Sequence, residues 1–417
     1  MAVLSEDISL ARTFDDIRAL SEHYCQPLAI EDYGLQAIAE TSPAKWHLAH
    51  TTWFFETFLL KPFVPGYQPA NRAFEYLFNS YYNGIGAQFP RNQRGLLSRP
   101  TVEEVYEYRH RVSESMRQLL LNPGDAAAEV EARTRLGVQH EMQHQELFFT
   151  DLKYNLAINP LFPAYRPDAA PLAGANADTI GWQSVDGGLH VMGAESDDGF
   201  HFDNEFPRHQ VFLQPFAMAD RLISNGEVLD FIEAGGYQQP ALWLADGWSQ
   251  VQQVHWAAPL HWLKRDGEWY EFTLGGLRPV ERGATACHLS GYEAEALARW
   301  LGARLPTEAE WEVWAADQPI SGHFVDAEQF HPGPARKGTV FGDVWQWTRS
   351  SYAPYPGYQP AEGAIGEYNG KFMCNQWVLR GGSCVSDRRQ ISATYRNFFY
   401  PADRWQFSGV RLAKDGR

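Results

Sequence analysis

Two hydrophobic rhythms follow one another along the chain. Over the first 158 residues the apolar positions recur at roughly helical spacing, as in "EDISLARTFDDIRALSEHY" at 6–24. "SPAKWHLAHTTWFFETFLL" comes next, where Ser42 suits an N-cap and Pro43 the first helical position. A proline-bearing, loop-like stretch occupies 61–100. Thr101 and Glu104 then spell a capping box, and Val105, Val112, Met116 and Leu119 make one apolar stripe behind it. A fourth helix is predicted from after "NPGD" to about residue 157. Long helices in this order predict an antiparallel four-helix bundle, a fold in which metal sites are built from facing helices.

The rhythm breaks at 159–180, "NPLFPAYRPDAAPLAGANADTI", which reads as a linker. Beyond it, short strand-like runs such as "HQVFLQPFAMAD" alternate with glycine and proline turns. Two helices are signalled there by capping boxes, Ser290–Glu293 and Thr307–Glu310. The expected organisation is therefore α+β: a helical domain at 1–158, a linker at 159–180 and a strand-rich domain at 181–417.

Composition narrows the function classes. A length of 417 residues suits two domains, and 15 Trp, 19 Tyr and 25 Phe with 35 Gly suggest a loop-rich part held by aromatic packing. A net charge of −16 repels phosphate backbones, so neither nucleic acid nor an anionic membrane is an expected partner. Cys25, Cys287, Cys374 and Cys384 are too few and scattered for a disulfide framework, and a reduced cytoplasm is the expected location. The N-terminus has acidic residues where a signal peptide needs an apolar run, and no stretch reaches the ~18 apolar residues of a membrane span.

The candidate chemistry lies in "HEMQH", where His140 and His144 stand one helical turn apart and fit a shared metal. A zinc peptidase would use Glu141 as base and needs a third ligand downstream. No Glu occurs between Glu146 and Glu195, and the position six past His144 is Thr150, so that reading is weak. Helix two offers His47 and His50, either of which can complete a three-histidine site in a bundle. Imidazole suits zinc, iron, copper or nickel, so residue type alone does not choose the metal.

The C-terminal half carries "ARLPTEAEWEVWA", "GDVWQWT", "LRGGS" and "FSGVRLA" in that order, which resembles the formylglycine-generating-enzyme domain, a C-type-lectin-like fold. "WHLAH" and "HEMQH" resemble a DinB-like four-helix bundle. Together they are similar to the ergothioneine-type sulfoxide synthases, over nearly the whole chain. The resemblance implies Fe(2+) held by His50, His140 and His144, with His47 a bundle or surface histidine. It implies a reaction that joins a thiol, cysteine or γ-glutamylcysteine, to C2 of the hercynine imidazole with O2 as oxidant.

Further roles follow from the same resemblance. Tyr81 and Tyr82 of "FNSYYNGIG" match a tandem-tyrosine branch in which a phenol donates a proton near the metal. Gln143 matches a residue that bonds the hercynine imidazole, and Arg91 and Arg94 match a pair that binds the thiol donor's carboxylate. In "TYRNFFYP", Asn397 matches a holder of the hercynine carboxylate, followed by Phe398 and Phe399. The other branch has an acid at the position of Phe399 that helps bind γ-glutamylcysteine, so this chain leans toward cysteine. Alternatives are a selenoneine synthase using a selenosugar, which shares the architecture, or a formylglycine-generating-type oxidase. The latter needs two closely spaced cysteines near "GGS", where Cys384 stands alone.

Overall fold

Local sequence signals decide where several of the helices start. In the computed structural model, which describes residues 2–169, 177–195 and 199–416, the first part holds α1 (Ala2–Cys25), α2 (Ala44–Phe55), the short α3 (Phe74–Phe78), α4 (Val102–Leu121) and α5 (Ala127–Ala157). Thr101 caps α4 as its sequence predicts: Glu104 N–H donates to Thr101 Oγ1 (3.2 Å) and Thr101 N–H to Glu104 Oε2 (2.6 Å). The stripe of Val105, Val112, Met116 and Leu119 is buried, each residue contributing about 1.5–3 kcal/mol.

One start differs from expectation. Ser42 does not cap α2, whose N-cap is Pro43. The serine is engaged elsewhere: its N–H donates to Asp151 Oδ2 (2.7 Å) and its hydroxyl accepts from Arg94 (2.9 Å). Every residue of α2 except Lys45 is buried, which marks a helix surrounded on all sides. It packs on α4 and α5, and α1 closes against both of those. Past Phe55 the helix runs on through a π turn, Glu56–Leu60, before Lys61–Phe63.

The chain divides into two compact units. The helical one is Met1–Pro160 together with Ala361–Tyr368; the other is Leu161–Pro360 with Asn369–Arg417. The inserted segment is held in the helical unit by Glu367, whose carboxylate accepts from the N–H groups of Asn83 (3.0 Å) and Gly84 (2.6 Å). Of the stretch read as a linker, residues 161–169 belong to the second unit, where Arg166 N–H donates to the Leu274 carbonyl (3.0 Å). Residues 170–176 lie outside the described residues.

The second unit is β-rich. "HQVFLQPFAMAD" forms two strands, His209–Leu213 and Phe216–Ala219. A four-stranded sheet orders Asn397–Phe399, Trp377–Arg380, Trp345–Ser351 and Ser408–Gly409. The four C-terminal motifs interlock at its core. Gln346 of "GDVWQWT" accepts from Trp311 Nε1 and from Arg411 Nε of "FSGVRLA", both at 2.8 Å. Arg380 of "LRGGS" pairs with Glu308 (2.6 Å) and Glu312 (2.8 Å) of "TEAEWEVWA". Gly381 follows at φ 98, where an added Cβ would meet Gln346 Nε2 at 2.6 Å. These motifs hold buried polar groups in pairs, so they mark a fold. Among the described residues no helix is long and apolar enough to cross a membrane.

Candidate metal centre

His140 and His144 on α5 face His50 on α2, and one ring nitrogen of each can lie within 4.8 Å of the others. His50 Nε2 and His140 Nε2 stand 3.2 Å apart. Two ligands on a common ion at about 2.1 Å each stand about 3 Å apart, so this spacing fits a metal. Among the described residues this is the one group of three or more such side chains close enough to hold an ion.

The environment keeps all three rings neutral. Burial, then the neighbouring His140, pushes the His50 imidazole well below its ordinary range. Burial and the His140 and His50 rings do the same to His144, and burial brings His140 down to about 3. Neutral imidazoles present lone pairs, which is what a metal requires.

Each ligand ring is held differently. His50 Nδ1 lies 2.5 Å from the Phe78 carbonyl, so it carries the proton and leaves Nε2 bare. Its ring is sandwiched between Trp46 (4.6 Å, 10°) and Trp53 (5.5 Å, 16°). His140 stacks on Phe54 (4.5 Å, 29°), and its Nδ1 is buried without a hydrogen-bond partner. His144 Nδ1 meets His47 Nδ1 at 2.9 Å, and His47 Nε2 meets Asp151 Oδ2 at 3.1 Å. His47, expected as a bundle or surface histidine, is thus a buried partner of a candidate ligand. A signal existed: Asp151 lies seven residues past His144, two turns along the same face.

Glu141 closes the peptidase reading. It points away from the triad and is fully buried, accepting from Arg18 Nη1 (3.0 Å), Arg109 Nη2 and Ser21 Oγ (2.6 Å). Burial alone would raise its carboxyl; the Arg109 and Arg18 guanidiniums and the serine overrule this and hold it down to about 2. A base so anchored cannot reach a water on the metal.

The remaining predicted residues divide. Tyr82 is fully buried against Trp53 (5.6 Å) and Phe58 (5.0 Å), and burial, then Tyr81 and Tyr368, keeps its phenol protonated far above neutral pH. Tyr81 stacks on it at 4.6 Å, with the two hydroxyls 3.5 Å apart. Arg94 is buried with its guanidinium 3.4 Å from the Trp46 ring centroid; it makes no ion pair among the described residues, and its Nε lacks a partner. Arg91 is exposed and donates to the Glu40 carbonyl. Gln143 Oε1 accepts from the hydroxyl of Tyr368, whose ring stands edge-on to His140 at 5.8 Å. Sequence reasoning missed Tyr368, which reaches the helical unit from 225 positions away.

In the second unit Asn397, Phe398 and Phe399 form an edge strand of the four-stranded sheet. Asn397 Oδ1 accepts from the Phe398 N–H (2.9 Å), and Phe398 stacks on Tyr352 (4.1 Å, 10°). No disulfide joins the four cysteines; Cys384 is buried and Cys374 exposed.

Comparison with known proteins gives a consistent set of relatives. Residues 171–339 and 338–416 match the family described as "Sulfatase-modifying factor enzyme 1-like domain". The chain is 31% identical over 405 residues to the hercynine oxygenase of Mycobacterium tuberculosis, across 90% of this chain and 91% of that protein. It is 31% identical over 371 residues to the hercynine oxygenase of Mycolicibacterium smegmatis, across 77% and 85%. Similarity to the formylglycine-generating enzyme of Thermomonospora curvata, 35% over 182 residues, spans 40% of this chain and 58% of that one.

Proposed function

The chain belongs to the hercynine oxygenase family and carries a sulfatase-modifying factor enzyme 1-like domain; from that premise we propose that it joins a thiol to C2 of the hercynine imidazole, with dioxygen as oxidant. The reaction balances without a further reductant. The thiol S–H and the imidazole C2–H are lost, one oxygen atom stays on sulfur as a sulfoxide, and the other leaves as water.

The observation that carries this reading is the convergence of three neutral imidazoles with no carboxylate among them. Ferrous iron held by His50, His140 and His144 would supply a position for the thiolate and the activation of dioxygen. The chain's own residues do the rest. Arg94, a buried guanidinium without an ion-pair partner among the described residues, binds the donor's carboxylate, with Arg91 at the more exposed end. Gln143 is anchored through its carbonyl by Tyr368, so its amide N–H₂ is the end that donates to a hercynine nitrogen. Tyr82, protonated at neutral pH, supplies a proton as water forms. A phenylalanine rather than an acid at 399 favours cysteine over γ-glutamylcysteine as donor.

The test is reconstitution with Fe(2+) under anaerobic conditions, then dioxygen with hercynine and cysteine, γ-glutamylcysteine or a selenosugar, read by mass spectrometry. A hercynine–cysteine sulfoxide is expected. Absence of any product with a new bond at C2, from protein that has bound iron, overturns the proposal.

A further inference from the structure

We infer that His47 and Asp151 are positioning residues that fix the tautomer and direction of His144, through a hydrogen-bonded chain running from carboxylate to histidine to ligand histidine. The inference rests on the triad being a metal site but not on which substrates react there.

The argument is one of proton accounting. A carboxylate only accepts, so the proton between Asp151 Oδ2 and His47 Nε2, 3.1 Å apart, sits on His47 Nε2. In the neutral imidazole that leaves His47 Nδ1 as a bare lone pair. It faces His144 Nδ1 at 2.9 Å, so His144 Nδ1 must carry the proton of that bond. His144 Nε2 is then bare, and it is the nitrogen left to join His50 and His140. The reverse tautomer would place two lone pairs against each other at Nδ1 and a proton where the metal belongs.

The chain is anchored at its far end. Asp151 Oδ2 also accepts from the Ser42 N–H (2.7 Å), just ahead of α2, and His47 and Asp151 are both buried. The distances are set by three backbone positions: His47 on α2, and His144 and Asp151 two turns apart on α5. Nothing comparable supports the other ligands. His50 has a single backbone carbonyl, and His140 Nδ1 has no hydrogen-bond partner. Among the three, His144 is the ring hydrogen-bonded to a side chain outside the triad among the described residues.

The test uses full-length protein and the metal alone. His47→Phe and Asp151→Leu keep the approximate volume and remove the acceptor; each is expected to weaken Fe(2+) and Co(2+) binding about 10–100-fold in chelator competition. The Co(2+) absorption bands are expected to shift in both. Asp151→Asn, which can present an oxygen to His47 and Ser42, and His47→Gln, which can present one to His144 Nδ1, are expected to retain most of the affinity and the wild-type spectrum. A merely structural role would move unfolding temperature without this split. Wild-type affinity and bands in folded His47→Phe overturn the inference. The unmodified protein gives an independent reading that no folding defect can obscure: in long-range ¹H–¹⁵N spectra of the metal-free form, His47 is expected protonated at Nε2 and His144 at Nδ1. The opposite pattern overturns it as well.

Discussion

Two adjacent residues on α5, His140 and Glu141, are both fully buried and both polar, yet they sit in opposite kinds of surroundings. Glu141 has its charge answered by two guanidiniums and a hydroxyl. His140 has an unpartnered nitrogen on one side and another imidazole's lone pair on the other. Folded chains satisfy buried polar groups wherever they can. The Glu141 side is therefore a structural solution, complete in itself. On the histidine side the Nε2 atoms of His50 and His140 face one another at 3.2 Å, an arrangement a shared metal fits. Helical geometry produces the division, because consecutive residues on a helix point about 100° apart.

The largest predicted effect breaks the comparison from the structural side. Glu141→Ala leaves Arg18 and Arg109 buried without their common partner, which costs about 3–5 kcal/mol. A fall of that size in unfolding free energy is expected in urea, while folded protein still binds metal. A stable variant that had lost only activity would instead make Glu141 a catalytic base. His140→Leu is the converse. Metal affinity is expected to drop by more than the about 100-fold typical of losing an outer partner. The metal-free protein is expected to be as stable as wild type or more so, since a buried unpaired nitrogen has been removed. Substantial destabilisation of the metal-free variant would mean the triad is structural after all.

Arg94 extends the same logic to a cation. Glu141's arginines are paired, whereas Arg94 rests on the Trp46 face and makes no ion pair among the described residues. Arg94→Ala is expected to raise the KM for the thiol more than tenfold and that for hercynine far less, since losing a buried charge-assisted pair costs about 2–5 kcal/mol. Arg91→Ala, at an exposed position, should do less. An unchanged thiol KM in both returns them to loop packing.

How much of this was legible in the sequence depends on distance along the chain. The helices, their capping boxes and the stripe of α4 are local patterns, and the structure reproduces them. The His140–His144 pair is equally local. Ser42 has the sequence of a cap, but the partners that compete for it, Arg94 and Asp151, are distant in sequence. His47 falls outside the matched motif, and its contact with Asp151, on another helix, belongs to the tertiary structure. Tyr368 and Glu367 left no trace, since nothing in residues 361–368 announces that they pack with the helical unit. The C-terminal motifs were legible as a fold marker, and their residues prove to be core pairs.

Acid should separate the two sides of α5. The triad histidines are held neutral, below the ordinary unfolded value of 6.5. Below pH 6.5 the unfolded chain takes up protons that the folded chain refuses, so stability falls as pH drops from there toward the folded values. Glu141 acts only lower, because its contribution is present above 4.5 and is lost as pH falls through about 2. Between pH 6.5 and 4.5 the histidine term acts without that of Glu141. Metal-free protein is expected to lose up to about 1.4 kcal/mol per pH unit for each histidine there. The slope should shrink in His140→Leu; an identical slope would place the titration elsewhere.

The smallest effect expected on stability concerns Tyr82, and its value lies in the product. Two outcomes consume one dioxygen per thiol. Coupling to hercynine sends one oxygen atom out as water, which needs protons delivered to it; oxidation of the thiol alone to a sulfinate keeps both oxygen atoms and releases no water. A protonated phenol whose hydroxyl reaches the site would therefore favour the coupled product. Tyr82 is kept protonated by burial and by its neighbours Tyr81 and Tyr368, and its ring packs on Trp53, which itself stacks on His50. Phenylalanine preserves that packing and deletes only the hydroxyl, so Tyr82→Phe should leave unfolding within about 1 kcal/mol of wild type. The share of cysteine sulfinate is expected to rise and that of sulfoxide to fall. Tyr81→Phe, whose hydroxyl is 3.5 Å from that of Tyr82, should change the ratio less. Wild-type ratios in both variants and in the double variant would make the pair packing residues, and the proton would then have to come from another donor, with Tyr368 the next phenol to replace.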